Sequence, residues 1–208
     1  DEIYDGEKII SGSSCTTNAI SPLLKLLEDE IGIKRCIFTT IHATTGSQNT
    51  VDIMKKCRTS RSILNNIIPH TTGASKSIID VIPVLENKIH GTSLRVPVVN
   101  CSLVDINIEL SDNSSMTLED IKELIEKSPF YKKSLDISEK KLVSCDFITT
   151  TVPCILDLNA SMKIEDGKFK LMVWYDNEWS YSAQLIRLIE SVYKRNNAIK
   201  ERYLLTGE

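Results

Sequence analysis

The residues with most chemistry to offer stand near the start of the 208-residue chain. The run Ser11-Gly12-Ser13-Ser14-Cys15-Thr16-Thr17-Asn18 sets a thiol among hydroxyls, directly before a stretch of helical periodicity. A helix start exposes unpaired N–H groups and about half a positive charge. That field favours thiolate over thiol, so Cys15 is expected to be more reactive than a free cysteine. The hydroxyls of Ser14, Thr16 and Thr17 suit an anion at the same place. The competing reading is a Ser/Thr capping cluster with an incidental thiol. His42 follows a β-rich run, Lys34 to Ile41. Cys with His is an arrangement in which imidazole serves first as base and then as acid; a strand-end histidine that only packs or caps is the alternative. Arg95, between a strand-like run and Pro97, carries a planar fork that matches two phosphate oxygens. Thr72-Gly73 opens another helical stretch, whose N–H groups suit a phosphate. His70 and His90 fall in turn-like segments and receive no role.

These groups need a scaffold. Ile20, Leu23, Leu24, Leu27 and Ile31 fall at helical spacing and Gly32 closes the segment, which predicts a helix over 19–31. Pro22 is tolerated only in a first turn, so that helix should begin close to Cys15–Asn18. Residues 34–41 read as a strand. Residues 43–62 are polar and aperiodic, a long functional loop. A second helix is expected over 74–82, stopped by Pro83. Residues 93–110 are β-rich, and Val104, Ile106, Ile108 and Leu110 alternate with Asp105, Asn107 and Glu109, a strand with one wet face. Thr117 caps a helix at 118–127, with Asp120 completing a capping box. Strand-like runs follow at 142–150, 154–160 and 169–175, with Asp166-Gly167 as a hairpin turn. A final helix, about 181–195, puts Leu185, Leu188, Ile189 and Val192 on one stripe. Strands outnumber helices and short turns join them. The expectation is one α+β domain over 1–208: a mostly antiparallel mixed sheet covered by helices.

The apolar share of 41% and the charged share of 25% are those of an ordinary soluble domain. A net charge of −3 points away from nucleic acid and from a polybasic membrane surface. No apolar run approaches the roughly 18 residues of a membrane span. The N-terminus has no signal-peptide pattern and no initiator Met, so a piece of a longer or processed chain is expected. The six cysteines lack C-x-x-C or other metal-ligand spacing, which favours free thiols in a reducing cytoplasm and no metal. Cys36, Cys101 and Cys145 sit in apolar runs and read as small core residues. No G-x-G-x-x-G occurs, so a Rossmann-type pyrophosphate cradle is absent from this chain.

Taken in order, Ser-Cys-Thr-Thr-Asn at 14–18, Thr-Ile-His-Ala-Thr-Thr at 40–45, Asn-Ile-Ile-Pro at 66–69 with Thr-Thr-Gly-Ala at 71–74, Leu-Arg-Val-Pro at 94–97 and Trp-Tyr-Asp-Asn-Glu-Trp at 174–179 resemble the catalytic half of phosphorylating glyceraldehyde-3-phosphate dehydrogenases. The likeness runs from about residue 4 to about 195. It implies that Cys15 attacks an aldehyde, that His42 is the base, and that a hydride passes to NAD to leave a thioester, which inorganic phosphate then cleaves. It implies an attacking-phosphate site near Ser14, Thr16, Thr72 and Gly73. The substrate's own phosphate would meet Thr45 and Arg95, with a second arginine before Asn66: Arg61 in preference to Arg58. Asn177 would hold the nicotinamide carboxamide and Tyr181 would limit the ring, while Trp174, Tyr175 and Trp179 are core packing. A homotetramer is implied for the full-length enzyme, with the last helix packed on the absent NAD-binding half. An erythrose-4-phosphate dehydrogenase, or a non-catalytic interaction module, is the alternative. Departures from the pattern are Gly12 for Asn, Ala19 where many relatives place a second thiol, Ser180 for Gly, and a loop at 50–58 about two residues short. That loop leaves oligomer geometry open.

Overall fold

The computed structural model describes residues 4–54, 57–111 and 116–206; Lys55 and Lys56, within the short loop, lie outside the described residues. The first helix, α1 (Cys15–Glu30), starts directly after its cap, where Ser14 Oγ accepts the Thr17 N–H at 3.1 Å. Asn18 folds back over the start of the helix, its amide donating to the carbonyls of Gly12 (2.9 Å) and Ser14 (2.8 Å). Pro22 is the eighth residue of α1, not part of its first turn as expected. It has no N–H for the Asn18 carbonyl, and an interior proline costs about 3 kcal/mol. Ile20, Leu23, Leu24 and Leu27 outweigh it: all four are fully buried, each contributing about 1.5–3 kcal/mol.

Seven strands form one mixed sheet: β1 (Ile33–His42), β2 (Ile68–His70), β3 (Ile89–Arg95), β4 (Ser102–Leu110), β5 (Asp136–Ser138), β6 (Ile155–Glu165) and β7 (Lys168–Tyr175). Their order is β2-β3-β1-β4-β7-β6-β5. β1 with β3 and β5 with β6 run parallel, and the other neighbours are antiparallel. The α+β reading with a mostly antiparallel mixed sheet therefore holds. Val104, Ile106, Ile108 and Leu110 of β4 point into the core, as their alternation predicted. The core lies between this face and α1, joined by α2 (Ala74–Val81) and α3 (Leu118–Lys127). Thr117 and Asp120 form the expected capping box on α3.

The central parallel pair depends on one glycine. Gly91 of β3 lies opposite Phe38 of β1, whose ring crosses the space a side chain would fill: a Cβ at Gly91 would come within 2.1 Å of Phe38 Cζ.

Some elements differ from expectation. The β-rich run 93–110 is two strands, the first beginning at Ile89, interrupted around Pro97. Residues 142–150 are not a strand. They hold a 3₁₀ turn at Ser144–Phe147, where the Asp146 carboxylate accepts the Val143 N–H at 2.9 Å. A short polar side chain that satisfies its own neighbours competes with a sheet ladder. Cys145 is accordingly exposed rather than in the core, whereas Cys36 and Cys101 are buried.

The last helix, α4 (Trp179–Thr206), is longer than expected. Asp176 caps it: one carboxylate oxygen accepts the N–H groups of Glu178 and Trp179 (2.9 and 2.8 Å), the other that of Thr149 (2.7 Å). Ile186, Ile189 and Tyr193 of α4 are 60%, 67% and 68% exposed, an apolar stripe left uncovered. Among the described residues no helix is long and apolar enough to cross a membrane.

Candidate active site

Cys15 is the first residue of α1 and His42 the last of β1. The sheet and its covering helix bring them together across 27 positions of sequence, Cys15 Sγ lying 3.4 Å from His42 Nε2. Register supplies the third member. Arg95 ends β3 directly beside His42, its partner in the parallel ladder. The three line a cavity of about 360 Å³, closed by Ser14, Thr16, Thr72 and Gly73 among others, with no carboxylate among its lining residues. Two helix starts, those of α1 and α2, open on it, and both carry the positive end of a helix dipole. Arg95 Nε is buried with no hydrogen-bond partner among the described residues. A buried, unpaired donor is costly, and an anion in the cavity would relieve it. No cluster of metal-binding side chains occurs among the described residues.

His42 Nδ1 has two neighbours, the Ala43 carbonyl at 2.7 Å and Arg95 Nη1 at 2.6 Å. One ring nitrogen cannot donate to the first and accept from the second at once. A guanidinium N–H only donates. With Arg95 in place, Nδ1 accepts and the ring proton sits on Nε2, facing the sulfur. With Arg95 drawn away, Nδ1–H can serve the Ala43 carbonyl, and Nε2 becomes the acceptor that a base must be.

Burial sets the resting charges. It pushes His42 down to about 4, with the Arg95 charge adding and the Ala43 carbonyl opposing. Burial also pushes the Cys15 thiol up, against the hydroxyl and N–H of Thr16 and the charge of Arg95, which pull it down. Burial thus works on the two groups in the same sense, disfavouring the charged form of each, while Thr16 and Arg95 pull the thiol the other way.

The other expected site residues divide. Ser14, Thr16, Thr72 and Gly73 line the cavity with Cys15, His42 and Arg95. Ser14 is engaged as the α1 cap, and the Thr72 hydroxyl accepts the Ala74 N–H at 3.1 Å. Thr45 and Arg61 do not line it: Thr45 bonds Ser47 and Gln48, and Arg61 pairs with Asp52 at 3.0 Å on the surface. Asn177 is buried at the β7–α4 junction. Ser102 Oγ donates to its Oδ1 (2.8 Å) while accepting the Ala43 N–H (3.0 Å). That orientation leaves the Asn177 amide as a donor. The Tyr181 hydroxyl reaches the Ser13 carbonyl at 3.4 Å. Sequence reasoning gave no role to His70, which lines the cavity, nor to the Tyr175 hydroxyl, which bonds both Thr16 and Thr40 at 2.9 Å. The paired hydroxyls of Thr16 and Thr40, each near a reactive residue, were the available signal.

Comparison with known proteins agrees with this geometry. Residues 14–177 match the family model described as the C-terminal domain of glyceraldehyde 3-phosphate dehydrogenase. Glyceraldehyde-3-phosphate dehydrogenase 2 of Bacillus subtilis (strain 168) is 41% identical over 198 residues, 92% of this chain and 57% of the relative. The enzyme of the same name from Agaricus bisporus is 40% identical over 94% of this chain and 59% of its own length. Glyceraldehyde-3-phosphate dehydrogenase 1 of Kluyveromyces lactis is 38% identical over 91% and 58%. This chain thus spans less than two thirds of these relatives. Cys15, His42 and Arg95 all fall inside the matched span, and the chain belongs to the glyceraldehyde 3-phosphate dehydrogenase C-terminal domain family.

Proposed function

We propose that this chain is the catalytic half of an NAD-dependent, phosphorylating glyceraldehyde-3-phosphate dehydrogenase of glycolysis. The observation that carries the reading is the Cys15–His42 contact of 3.4 Å inside a cavity with an arginine, two helix starts and no carboxylate: a nucleophile and base beside an anion site. The chemistry follows from those groups. A phosphate approaching Arg95 draws the guanidinium off His42 Nδ1. The ring proton then passes through solvent from Nε2 to Nδ1, where it is donated to the Ala43 carbonyl, and the freed Nε2 takes the Cys15 proton as sulfur attacks the aldehyde carbon. The new S–C bond gives a hemithioacetal, whose oxygen is steadied by His42 Nε2–H and the Cys15 N–H. A bound NAD, held at its nicotinamide end by Asn177 and Tyr181, would supply the hydride acceptor for that carbon. The carbonyl of the resulting thioester stays on Cys15, open to an oxygen of inorganic phosphate. Its attack expels the Cys15 sulfur, which recovers its proton through His42, and 1,3-bisphosphoglycerate leaves.

The residues fit NAD at the nicotinamide end. Ser102 fixes Asn177 with its amide as donor, the polarity a carboxamide oxygen needs, and Tyr181 stands one helical turn further on α4. Contacts to adenosine and pyrophosphate are assigned to a dinucleotide-binding half outside residues 1–208, docked on the stripe of Ile186, Ile189 and Tyr193. Thr45 and Arg61, which stand outside the cavity, are retained as ligands of the substrate phosphate on the family likeness alone. Exposed Ile37, Met162 and Ile164 on the sheet support assembly as a homotetramer. The free thiols fit a reducing compartment, the cytoplasm.

The phosphorolysis half needs no NAD and can be run backwards on this chain alone. Exposure to 1,3-bisphosphoglycerate should acylate Cys15 and release phosphate, read by intact-protein mass. Cys15→Ala should abolish the adduct, and His42→Asn should slow it about 100-fold or more, the usual contribution of a general acid–base group. Absence of an adduct on the wild-type chain would overturn the reading.

A further inference from the structure

We infer that His70 is a further ligand of the attacking phosphate, and that its Nε2 selects an anion that still carries a proton. The inference rests on the reading of the cavity as the seat of that phosphate. His70 ends β2, the edge strand of the sheet. Register fixes the face on which it stands. β2 pairs with β3 as Ile68 with Arg95 and His70 with Ser93, and β3 pairs with β1 as Ser93 with Thr40 and Arg95 with His42. Residues paired in register share a face of the sheet, and every second residue along a strand returns to it. His70, Ser93 and Thr40 therefore form one row across three strands, and Arg95 and His42 stand in the next row on the same face. All five line the cavity. Arg95 is the diagonal neighbour of His70, with Cα atoms roughly 7–8 Å apart, a spacing that long side chains bridge. Thr72 and Gly73, at the start of α2, follow His70 closely in the chain and line the same cavity. An anion held by the Arg95 guanidinium and the start of α2 therefore has an imidazole beside it.

The Thr71 carbonyl decides the tautomer of that imidazole. Nδ1 lies 2.8 Å from it, and a carbonyl only accepts, so Nδ1 carries a proton. In the neutral ring Nε2 is then a bare acceptor, and it has no partner among the described residues. The guanidinium of Arg95 and the N–H groups at the start of α2 are donors, and donors hold any oxyanion alike. His70 adds an acceptor to them. Monohydrogen phosphate has one P–OH to give it. Sulfate has the same double charge and the same tetrahedral shape but no proton, so one of its oxygens would face the Nε2 lone pair with no hydrogen between them. A group placed to hydrogen-bond a ligand O–H discriminates against the analogue that lacks it. His70 thereby makes the cavity prefer phosphate over an anion of equal charge that cannot cleave the thioester to an acyl phosphate.

The test is titration of inorganic phosphate, and separately of sulfate, into the ¹⁵N-labelled chain at constant ionic strength. The pH is held at about 8, where an ordinary imidazole is neutral, and the amide signals of Thr72, Gly73 and Ala74 are followed. Phosphate should half-saturate at about tenfold lower concentration than sulfate, the size of one hydrogen bond to a charged group. His70→Ala should weaken phosphate binding by that factor, leave sulfate where it was, and so bring the two anions together. His70→Asn keeps a donor for the Thr71 carbonyl and removes Nε2; it should behave as His70→Ala does, whereas a merely structural histidine would be rescued by the asparagine. Equal affinity for the two anions in the wild-type chain, no binding of either, or a preference that survives in His70→Asn overturns the inference. The titration uses neither aldehyde nor NAD. A His70-dependent preference in a chain that 1,3-bisphosphoglycerate fails to acylate would leave His70 assigned and the substrate reading refuted; acylation without the preference would do the reverse.

Discussion

His42 titrates near 4 in the fold against 6.5 for an ordinary histidine, so folded and unfolded chains bind protons differently between those values. The folded value is the lower one. The unfolded chain therefore gains a proton first as pH falls, and stability present above about pH 6.5 is lost progressively down to about pH 4, to a total of about 3 kcal/mol. Urea denaturation across that window should show the loss in the wild-type chain and a much flatter profile in His42→Asn. The same residue was legible in the sequence as a strand-end histidine, as was Cys15 at a helix start. The effect of burial on the pair was not. Pattern reports position along an element, while desolvation depends on what the rest of the chain lays over the site.

Elements whose signals are local were read closely. α3 began and ended as its capping box and period required, and α1 began at Cys15 because Ser14 supplies the cap. The strand expected at 142–150 was not found, because apolar content there outvoted the capping chemistry of Asp146. The parallel pairing of β1 with β3 was also out of reach, since it joins segments about fifty residues apart through a glycine-for-ring fit invisible to periodicity. That fit carries a prediction. Gly91→Ala forces Phe38, fully buried, out of its place, and should destabilise the chain by about 1–3 kcal/mol in urea titration. A second concerns α4. Asp176 is fully buried and holds three N–H groups, so Asp176→Ala should cost about 2–4 kcal/mol and should loosen Asn177 at the same junction, read as faster amide exchange over 177–182.

At the scale of the molecule, the family, the fold class and the sheet type were legible because five separate motifs and the alternation of β4 agreed. On α4 the exposed stripe is Ile186, Ile189 and Tyr193, of which the expected stripe of Leu185, Leu188, Ile189 and Val192 shared only Ile189. Isolated in solution, this chain should self-associate through that stripe. Sedimentation should show the larger species receding in an Ile186→Lys/Ile189→Lys variant, with the fold unchanged by circular dichroism. NAD titrated into the chain alone should give little heat, because the glycine-rich cradle for its phosphates is not among these residues.

The ladder between β1 and β3 has a last consequence. His42 and Arg95 are opposite one another because the two strands are in one register, and strand registers are discrete. A slip by one residue turns every side chain to the other face, and a slip by two carries Arg95 roughly 6.6 Å along its strand. No intermediate alignment offers the imidazole a partial guanidinium. Damage to this pairing, by mutation or heat, therefore divides the molecules into competent and incompetent populations. In a weakened variant, the count of reactive Cys15 should fall in step with the yield of acylation by 1,3-bisphosphoglycerate, while each molecule still counted as reactive acylates at the full rate.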